Sequence, residues 1–496
     1  MRHLGTLFGL TVSFLLLAHA VNAGNTSQLV RVYYTDKAEL RALANSGADI
    51  AGHGDHYVEV VVPAPSKDAA PGDVATLQAL QAFERREVIV PDLDALLEPF
   101  KDRADMGAYH TVTEVHDELA QYAKDHADIC RVEVYGKSFE GRNLEALVIG
   151  PQGGKAANLP KFLFMGLHHS REWISVEVPL ALAKKLVTTY ATDPKIKALV
   201  DSRIVWVIPV VNPDGLNYSQ TASKMWRKTR SKNSDGSFGV DPNRNYGYEW
   251  GGAGASTYPG SDTFRGPKAF SEVETAAIRD LARREKFAAD VSFHSYSELI
   301  LYPWSYDYVS IPAVREEVFK KHGAEMAKFN SYTSEKSSDL YPSSGDTDDF
   351  MYGDTGSLSF TFELAQTFIP AESEIPSICD GNVKALMYMI ENCSDPFPRM
   401  AHTPAAASTA EGLPVDVALD TEMWPDEKPA TVTAACVAAD GAASSVELAP
   451  VRGQSAQFKG TLPKTAIRYH FEYKAKDGST VRWPKYNDFN VPQSAK

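Results

Sequence analysis

Near-continuous apolar runs alternate with helical patterns through the middle of this chain. Residues 162–167 form one such run. Another reads Ile204-Val205-Trp206-Val207-Ile208-Pro209-Val210-Val211. Runs of this kind belong to strands covered on both faces of a sheet. Apolar residues at helical spacing predict helices over 112–126, 173–190 and 271–286, and a surface helix over 314–329. Segments 291–296 and 357–364 alternate as strands instead. In the second, Glu363 falls on the face of Thr361, Ser359 and Ser357, with the phenylalanines opposite. Residues 105–399 therefore read as one α/β domain, a mixed sheet flanked by helices.

The two ends are patterned differently. Residues 24–104 predict a strand at 29–34, a helix from 36 or 37 to 45, a strand at 57–63, a helix at 74–86 and a short strand at 87–90. That is a compact α+β unit. A short helix over 94–101 leads into Lys101-Asp102-Arg103-Ala104-Asp105, a polar stretch open to a trypsin-like protease. Residues 400–414 turn to Ala, Ser, Thr and Pro, the composition of a linker. Residues 415–496 alternate in short stretches, with Asp440-Gly441 and Asp477-Gly478 as hairpin turns, and read as an all-β, sandwich-like module.

Composition narrows the class. At 496 residues the chain needs more than one core. A net charge of −14 argues against a nucleic-acid partner, because nothing basic offsets phosphate repulsion. Arg2 and His3, an apolar run over 4–20 and then Val21-Asn22-Ala23 read as a signal peptide, residues 1–23, on an exported protein. No other stretch is long and apolar enough to span a bilayer. Of the four cysteines, none forms a Cys-x-x-Cys pair, and Cys379 with Cys393 is the nearest candidate disulfide.

Candidate chemistry gathers at strand ends. His169 and Glu172 lie three residues apart where the 162–167 run gives way to a helix, so both can reach one metal ion. The same spacing recurs at His56/Glu59 and His322/Glu325, and only further ligands separate a site from a coincidence. A catalytic zinc takes three protein ligands and keeps a fourth position open. His294, ending an alternating strand, offers the third. Arg227 sits in a basic cluster, Trp226-Arg227-Lys228-Thr229-Arg230. Asn243 and Arg244, in Asp241-Pro242-Asn243-Arg244-Asn245-Tyr246, suit a carboxylate or an ordinary surface turn. Glu363 in so apolar a strand is costly unless paired or near a metal.

In order, His-Ser-Arg-Glu-Trp, Asn-Pro-Asp-Gly at 212–215, Trp-Arg-Lys-Thr-Arg, Asn-Arg-Asn, His-Ser-Tyr-Ser, a Tyr-Pro loop at Tyr341 and Phe-Thr-Phe-Glu-Leu resemble the zinc metallocarboxypeptidases of the carboxypeptidase A/B family. The match runs from about 109 to 393. The resemblance implies that His169, Glu172 and His294 bind one Zn2+ and that Glu363 is the general base. It implies that Arg227 stabilises the oxyanion, and that Asn243 and Arg244 clamp a substrate's C-terminal carboxylate under Tyr341. Arg171 and Tyr296 would line the subsites before the scissile bond. His56, His322 and His168 become ordinary residues.

The resemblance also bears on specificity and regulation. Aligned from Tyr341, Asp348 occupies the place where members resembling carboxypeptidase B carry Asp. Ser305 looks like that polar pocket too, and Asp346 adds a second acid. The expected substrates are peptide C-termini ending in Lys or Arg. Two close acids sharing a proton would instead allow mixed specificity. Broad or apolar specificity, action on cell-wall peptides and an inert zinc-binding module are the other readings. Residues 24–104 resemble the family's activation segment, which implies a zymogen cut by an endoprotease between about Lys101 and Tyr109. The C-terminal module resembles appendages of larger secreted members.

Overall fold

The computed structural model describes residues 26–62, 71–93, 95, 106–156, 159–403, 409–424, 428–452, 454–476, 478–483 and 488–492. The signal peptide expected at 1–23, most of the helix expected over 94–101, the polar stretch 101–105 and Asp477 lie outside these residues. Among the described residues, no helix is long and apolar enough to cross a membrane.

The N-terminal unit is a four-stranded antiparallel sheet in the order β2-β3-β1-β4, with two helices. Its strands are β1 (Gln28–Tyr33), β2 (Asp49–Gly54), β3 (Tyr57–Val62) and β4 (Arg86–Val90); its helices are α1 (Lys37–Asn45) and α2 (Pro71–Leu80). Asp36 caps α1, accepting from the amides of Ala38 and Glu39. β2 was not anticipated: its sequence, Asp-Ile-Ala-Gly-His-Gly, carries little strand propensity, and pairing to β3 supplies the order. The second helix begins at Pro71 and ends at Leu80, earlier than the predicted 74–86. Proline suits a first helical turn, and residues 81–85 form the turn into β4.

The central domain is the expected α/β body. Its strands are β5 (Cys130–Lys137), β6 (Asn143–Ile149), β7 (Lys161–Met165), β8 (Ile204–Ile208), β9 (Ala289–Ser295), β10 (Leu299–Tyr302), β11 (Thr333–Lys336) and β12 (Leu358–Leu364). They form one mixed sheet in the order β11-β10-β12-β9-β7-β8-β6-β5. The inner strands β12, β9, β7 and β8 run parallel, and the outer pairs β10/β12, β6/β8 and β5/β6 are antiparallel.

The longer helices are α3 (Val112–Asp125), α4 (Ile174–Thr189), α5 (Pro194–Ser202), α6 (Pro213–Thr221), α7 (Val273–Glu285), α8 (Ala313–Asn330), α9 (Thr347–Thr355) and α10 (Ile375–Asn392), with a single helical turn at Ser337–Leu340. Phe162, Phe164, Val205, Val207, Val291 and Phe293 face one core with α3, α4 and α10. Leu163, Met165, Ile204, Trp206 and Ile208 face the other with α7. This is the period-two reading of the apolar runs.

On β9 and β12 the second face changes character. Asp290 pairs in register with Ser359, Ser292 with Thr361 and His294 with Glu363. All lie on the face opposite the phenylalanines, so a polar stripe crosses the middle of a buried sheet.

The C-terminal module has strands β13 (Met400–Ala401), β14 (Leu413–Leu419), β15 (Val432–Ala438), β16 (Ala443–Val451), β17 (Gln454–Leu462), β18 (Ala466–Lys474), β19 (Thr480–Trp483) and β20 (Phe489–Asn490). β16 pairs with β15 over its first part and with β17 over its last, so it passes from one sheet to the other. Val415, Val417, Val432, Phe458, Tyr469 and Phe471 fill the core between them. Strand pairing reaches back to Met400, into the segment whose composition reads as linker. Trp424 packs against the core of the central domain, and Arg315 and Arg399 lie over its ring at 4.0 and 3.9 Å from the centroid.

All four cysteines are free and buried. Cys379 lies in the first turns of α10 and Cys393 caps its far end. A helix rises about 1.5 Å per residue, so these two are much too far apart for a disulfide.

Candidate active site

The carboxyl ends of the parallel strands β7, β9 and β12 meet at one cleft, where open α/β sheets bind ligands. After β7 the chain turns sharply. Gly166 is required there: a Cβ would lie 2.1 Å from the carbonyl oxygen of Ser175. Ser175 fixes the turn, accepting from the amide of Leu167 at 3.1 Å and donating to the carbonyl of Glu172 at 2.5 Å. His169 and Glu172 are thereby presented ahead of α4.

His169, Glu172 and His294 come together. Nδ1 of His294 is 3.1 Å from Nδ1 of His169 and 3.1 Å from Oε2 of Glu172, and Nδ1 of His169 is 2.9 Å from Oε1 of Glu172. All three side chains are buried, and their donor atoms lie within 4.8 Å of one another. Two imidazole nitrogens and a carboxylate converging on one point fit one zinc ion. Burial opposes the charge on Glu172, but the two histidines hold it below the usual carboxylate range. His56 sits in the turn before β3, and His322 on α8 packs on Tyr388.

Asp241, which sequence reasoning did not single out, organises the shell behind these ligands. Its Oδ1 accepts from the His169 Nε2 position at 3.1 Å and from the amide of Asn243 at 2.8 Å. Its Oδ2 accepts from Nε and Nη2 of Arg227 at 3.1 and 2.9 Å. Burial opposes its charge, yet Arg227 and His169 keep it well below the usual range. One carboxylate thus orients a metal ligand and aims a guanidinium. Its position as the cap of the short 242–244 turn was the available signal.

Glu363 stands beside the triad as the register partner of His294. Burial and then the Glu172 carboxylate push its pKa well above the usual range, while Arg227 acts the other way. Asn243 and Arg244 line the same cleft. Arg244 is anchored by donating to the carbonyls of Gly254 and Asn243, both at 2.8 Å, and its Nη2 donates to the hydroxyl of Tyr341 at 3.1 Å.

Ser305, Ser337, Ser343 and Asp346 form a polar part of the wall. Asp348 lies behind it, fully buried, accepting from Ser305 Oγ at 3.0 Å and Ser337 Oγ at 2.9 Å. Burial, then Asp346, push Asp348 well above the usual carboxylate range.

The N-terminal unit reaches into this cleft. Ile50 and Ala51 of β2 line it. Asp49 accepts from Nη2 of Arg171 at 2.9 Å and lies 3.6 Å from Nη1 of Arg227. Glu59 accepts from the hydroxyl of Tyr296, and Tyr341 donates to the carbonyl of Ile50 at 3.3 Å. A Cβ on Gly52 would meet the Tyr296 ring at 2.8 Å. So Arg171, Tyr296 and Tyr341, expected to hold substrate, here hold β2 and β3.

The zinc carboxypeptidase family model, Peptidase_M14, matches residues 115–385, more than half of the chain. This protein belongs to the zinc carboxypeptidase family. It is a metallocarboxypeptidase, an exopeptidase that hydrolyses peptides from the C-terminus, and the His169-Glu172-His294 cluster could hold its one metal ion. The chain is 34% identical to carboxypeptidase A2 of Rattus norvegicus over 333 residues, covering 61% of this chain and 79% of that one. It is 35% identical to carboxypeptidase B of the same species over 322 residues, covering 61% and 77%. The two types are equally close, so similarity does not select between them. In fold it is similar to carboxypeptidase A from Helicoverpa armigera, with a TM-score of 0.65, 22% identity, and 75% and 98% of the two chains covered.

Proposed function

We propose that this carboxypeptidase is an exported zymogen that removes C-terminal lysine or arginine from peptides. Asn243 and Arg244 take the substrate's free carboxylate, a planar anion suited to an amide donor beside a guanidinium fork. An internal peptide bond offers no such group, so binding here selects chain ends. Held by His169, Glu172 and His294, zinc would supply Lewis acidity toward the scissile carbonyl and the attacking water. Glu363 takes the proton from that water and passes it to the leaving amine. Arg227, fixed by Asp241, directs a guanidinium at the developing oxyanion.

The observation that carries the basic preference is Asp346, a carboxylate in the wall of the cleft that also holds Asn243, Arg244 and Glu363. A lysine or arginine side chain supplies it with a close counter-charge, whereas an apolar side chain leaves it with hydrogen bonds from the Asp348 amide at 2.8 Å and Nδ2 of Asn243 at 3.4 Å. Asp348 supports a second reading, mixed acceptance: behind the serines its charge is disfavoured by burial and by Asp346, which lowers the cost of admitting an apolar residue. Initial rates on peptides differing only in a terminal Arg, Lys, Leu or Phe decide between the two. Equal rates on Arg and Phe overturn the basic preference.

The zymogen reading rests on Asp49, Glu59 and Ile50 occupying Arg171, Tyr296 and Tyr341. An endoprotease cutting between Lys101 and Tyr109 releases them. Export rests on the charged, apolar and small-residue pattern of residues 1–23.

A further inference from the structure

A third histidine stands in the site without a role in the reaction just described. His168, next to the ligand His169, is fully buried. Its ring stacks on that of His294, with centroids 5.4 Å apart and planes at 19°. Nδ1 is 3.1 Å from Oγ of Ser292, and Oγ of Ser292 is 3.0 Å from Nε2 of His294. On the other side, Nε2 of His168 is 2.8 Å from the hydroxyl of Tyr246 and 3.3 Å from Oγ1 of Thr347. Thr347 Oγ1 donates to Oδ1 of Asn243 at 2.5 Å, and the Thr347 amide donates to the same oxygen at 2.9 Å.

The donors and acceptors admit a consistent direction from His294 to Asn243. The metal-facing nitrogen of His294 is Nδ1, so Nε2 carries the proton and donates to Ser292. The serine hydroxyl then donates to Nδ1 of His168. That leaves the His168 proton on Nε2, shared by Tyr246 and Thr347, and the threonine hydroxyl ends on Asn243. Each group spends its one donor toward the next. The carbonyl oxygen of Asn243 is therefore fully engaged by Thr347, and its amide nitrogen is turned the other way, to the cleft wall, where it donates to Oδ2 of Asp346 at 3.4 Å.

We propose that His168 is a positioning residue that joins the metal ligand His294 and the carboxylate-binding Asn243 into one hydrogen-bonded unit. One arm fixes the ring of His294 through Ser292, as an outer partner fixes a metal-binding imidazole. The other arm fixes which end of the Asn243 amide meets the substrate. The proposal rests on the assignment of Asn243 to the substrate's carboxylate. A phenylalanine at 168 would keep the volume and the stacking and lose both arms.

The test uses the full zinc-loaded chain, activated by endoprotease, with two readouts: the rate of zinc transfer to a chelator, and kcat and KM on a peptide with a free C-terminus. His168→Phe is expected to speed zinc release by roughly 10- to 100-fold. It is also expected to raise KM by about tenfold, the scale of one hydrogen bond to a charged group. Ser292→Ala should reproduce the zinc effect without the KM effect, and Thr347→Val the reverse. His168→Gln, with one donor and one acceptor, should recover part of both.

A merely structural role predicts a lowered melting temperature with zinc release and KM unchanged in His168→Phe, and that result overturns the proposal. If His168→Phe does not fold, silent Ser292→Ala and Thr347→Val variants overturn it equally. Asn243→Ala separates the two assignments. An unchanged KM there removes the carboxylate assignment and the Asn243 arm with it, leaving the zinc-release arm to be judged on His168→Phe and Ser292→Ala.

Discussion

His294 and Glu363 are register partners on adjacent parallel strands, their side chains on the same face of a sheet whose opposite face is phenylalanine. A candidate metal ligand and a half-buried carboxylate are thus fixed by backbone pairing rather than by a loop. The strands give the pair a defined spacing that does not depend on substrate.

That placement makes Glu363 the group whose loss should damage chemistry and little else. Glu363→Gln keeps the shape and removes the base. The expected outcome is a fall in kcat of about 10²- to 10⁴-fold, with zinc content by metal analysis unchanged. A variant of near-normal kcat would assign the proton transfer elsewhere.

Asp346 and Asp348 are predicted to contribute unequally. Asp346 lines the cleft, whereas Asp348 lies beneath Ser305 and Ser337, where burial and Asp346 push its pKa well above the usual carboxylate range. Asp346→Asn should lower kcat/KM on Arg-ending peptides relative to Phe-ending ones by at least about tenfold, the cost of removing one partner of a desolvated charge pair. Asp348→Asn should change that ratio much less. A larger loss at Asp348 would place the cation deeper than proposed.

Asp49 and Arg171 form a buried pair between the N-terminal unit and the cleft. Asp49→Ala leaves Arg171 buried without its counter-charge, which costs the closed form about 3–5 kcal/mol. The uncut variant should hydrolyse a small peptide substrate faster than the uncut wild type, and cutting should remove the difference. An equally silent uncut variant would mean that other contacts close the cleft.

His110 makes stability depend on pH. Its ring lies between Glu118 Oε2 at 3.1 Å and Glu177 Oε2 at 2.7 Å. These carboxylates, Glu118 foremost, raise its pKa to about 10 against the opposing effect of burial. Because the folded pKa is raised, the stabilisation is complete below the unfolded value near 6.5 and is lost as pH rises through about 10. The melting temperature of His110→Gln should therefore fall furthest below wild type near pH 6, with the gap closing toward pH 10. A gap constant with pH would remove the ionic contribution.

Local signals, a three-residue spacing at a strand end and a histidine ending an alternating strand, marked the residues of the metal triad as candidates, and the ordered family motifs joined them into one site. The buried sheet was legible from its apolar runs. Arg227 and Asn243 come from irregular segments with no periodicity, and only resemblance picked them out. Asp241 hid in the same polar turn, since its partners, His169 and Arg227, are remote in sequence. β2 escaped because its glycines carry no strand signal, and with it went the contact of Asp49 with Arg171. His168 was set aside as an ordinary neighbour of His169, although it is buried against His294. Its partners Ser292 and Thr347 sit on β9 and α9, and nothing short of the fold brings them together.

The central claim is tested most directly by incubating the endoprotease-activated, zinc-loaded chain with matched peptides ending in Arg, Lys, Leu or Phe and identifying products by mass. The account predicts loss of the single terminal residue, fastest for Arg and Lys, abolished by chelation and restored by zinc. Cleavage at internal bonds, or activity untouched by metal removal, would contradict it.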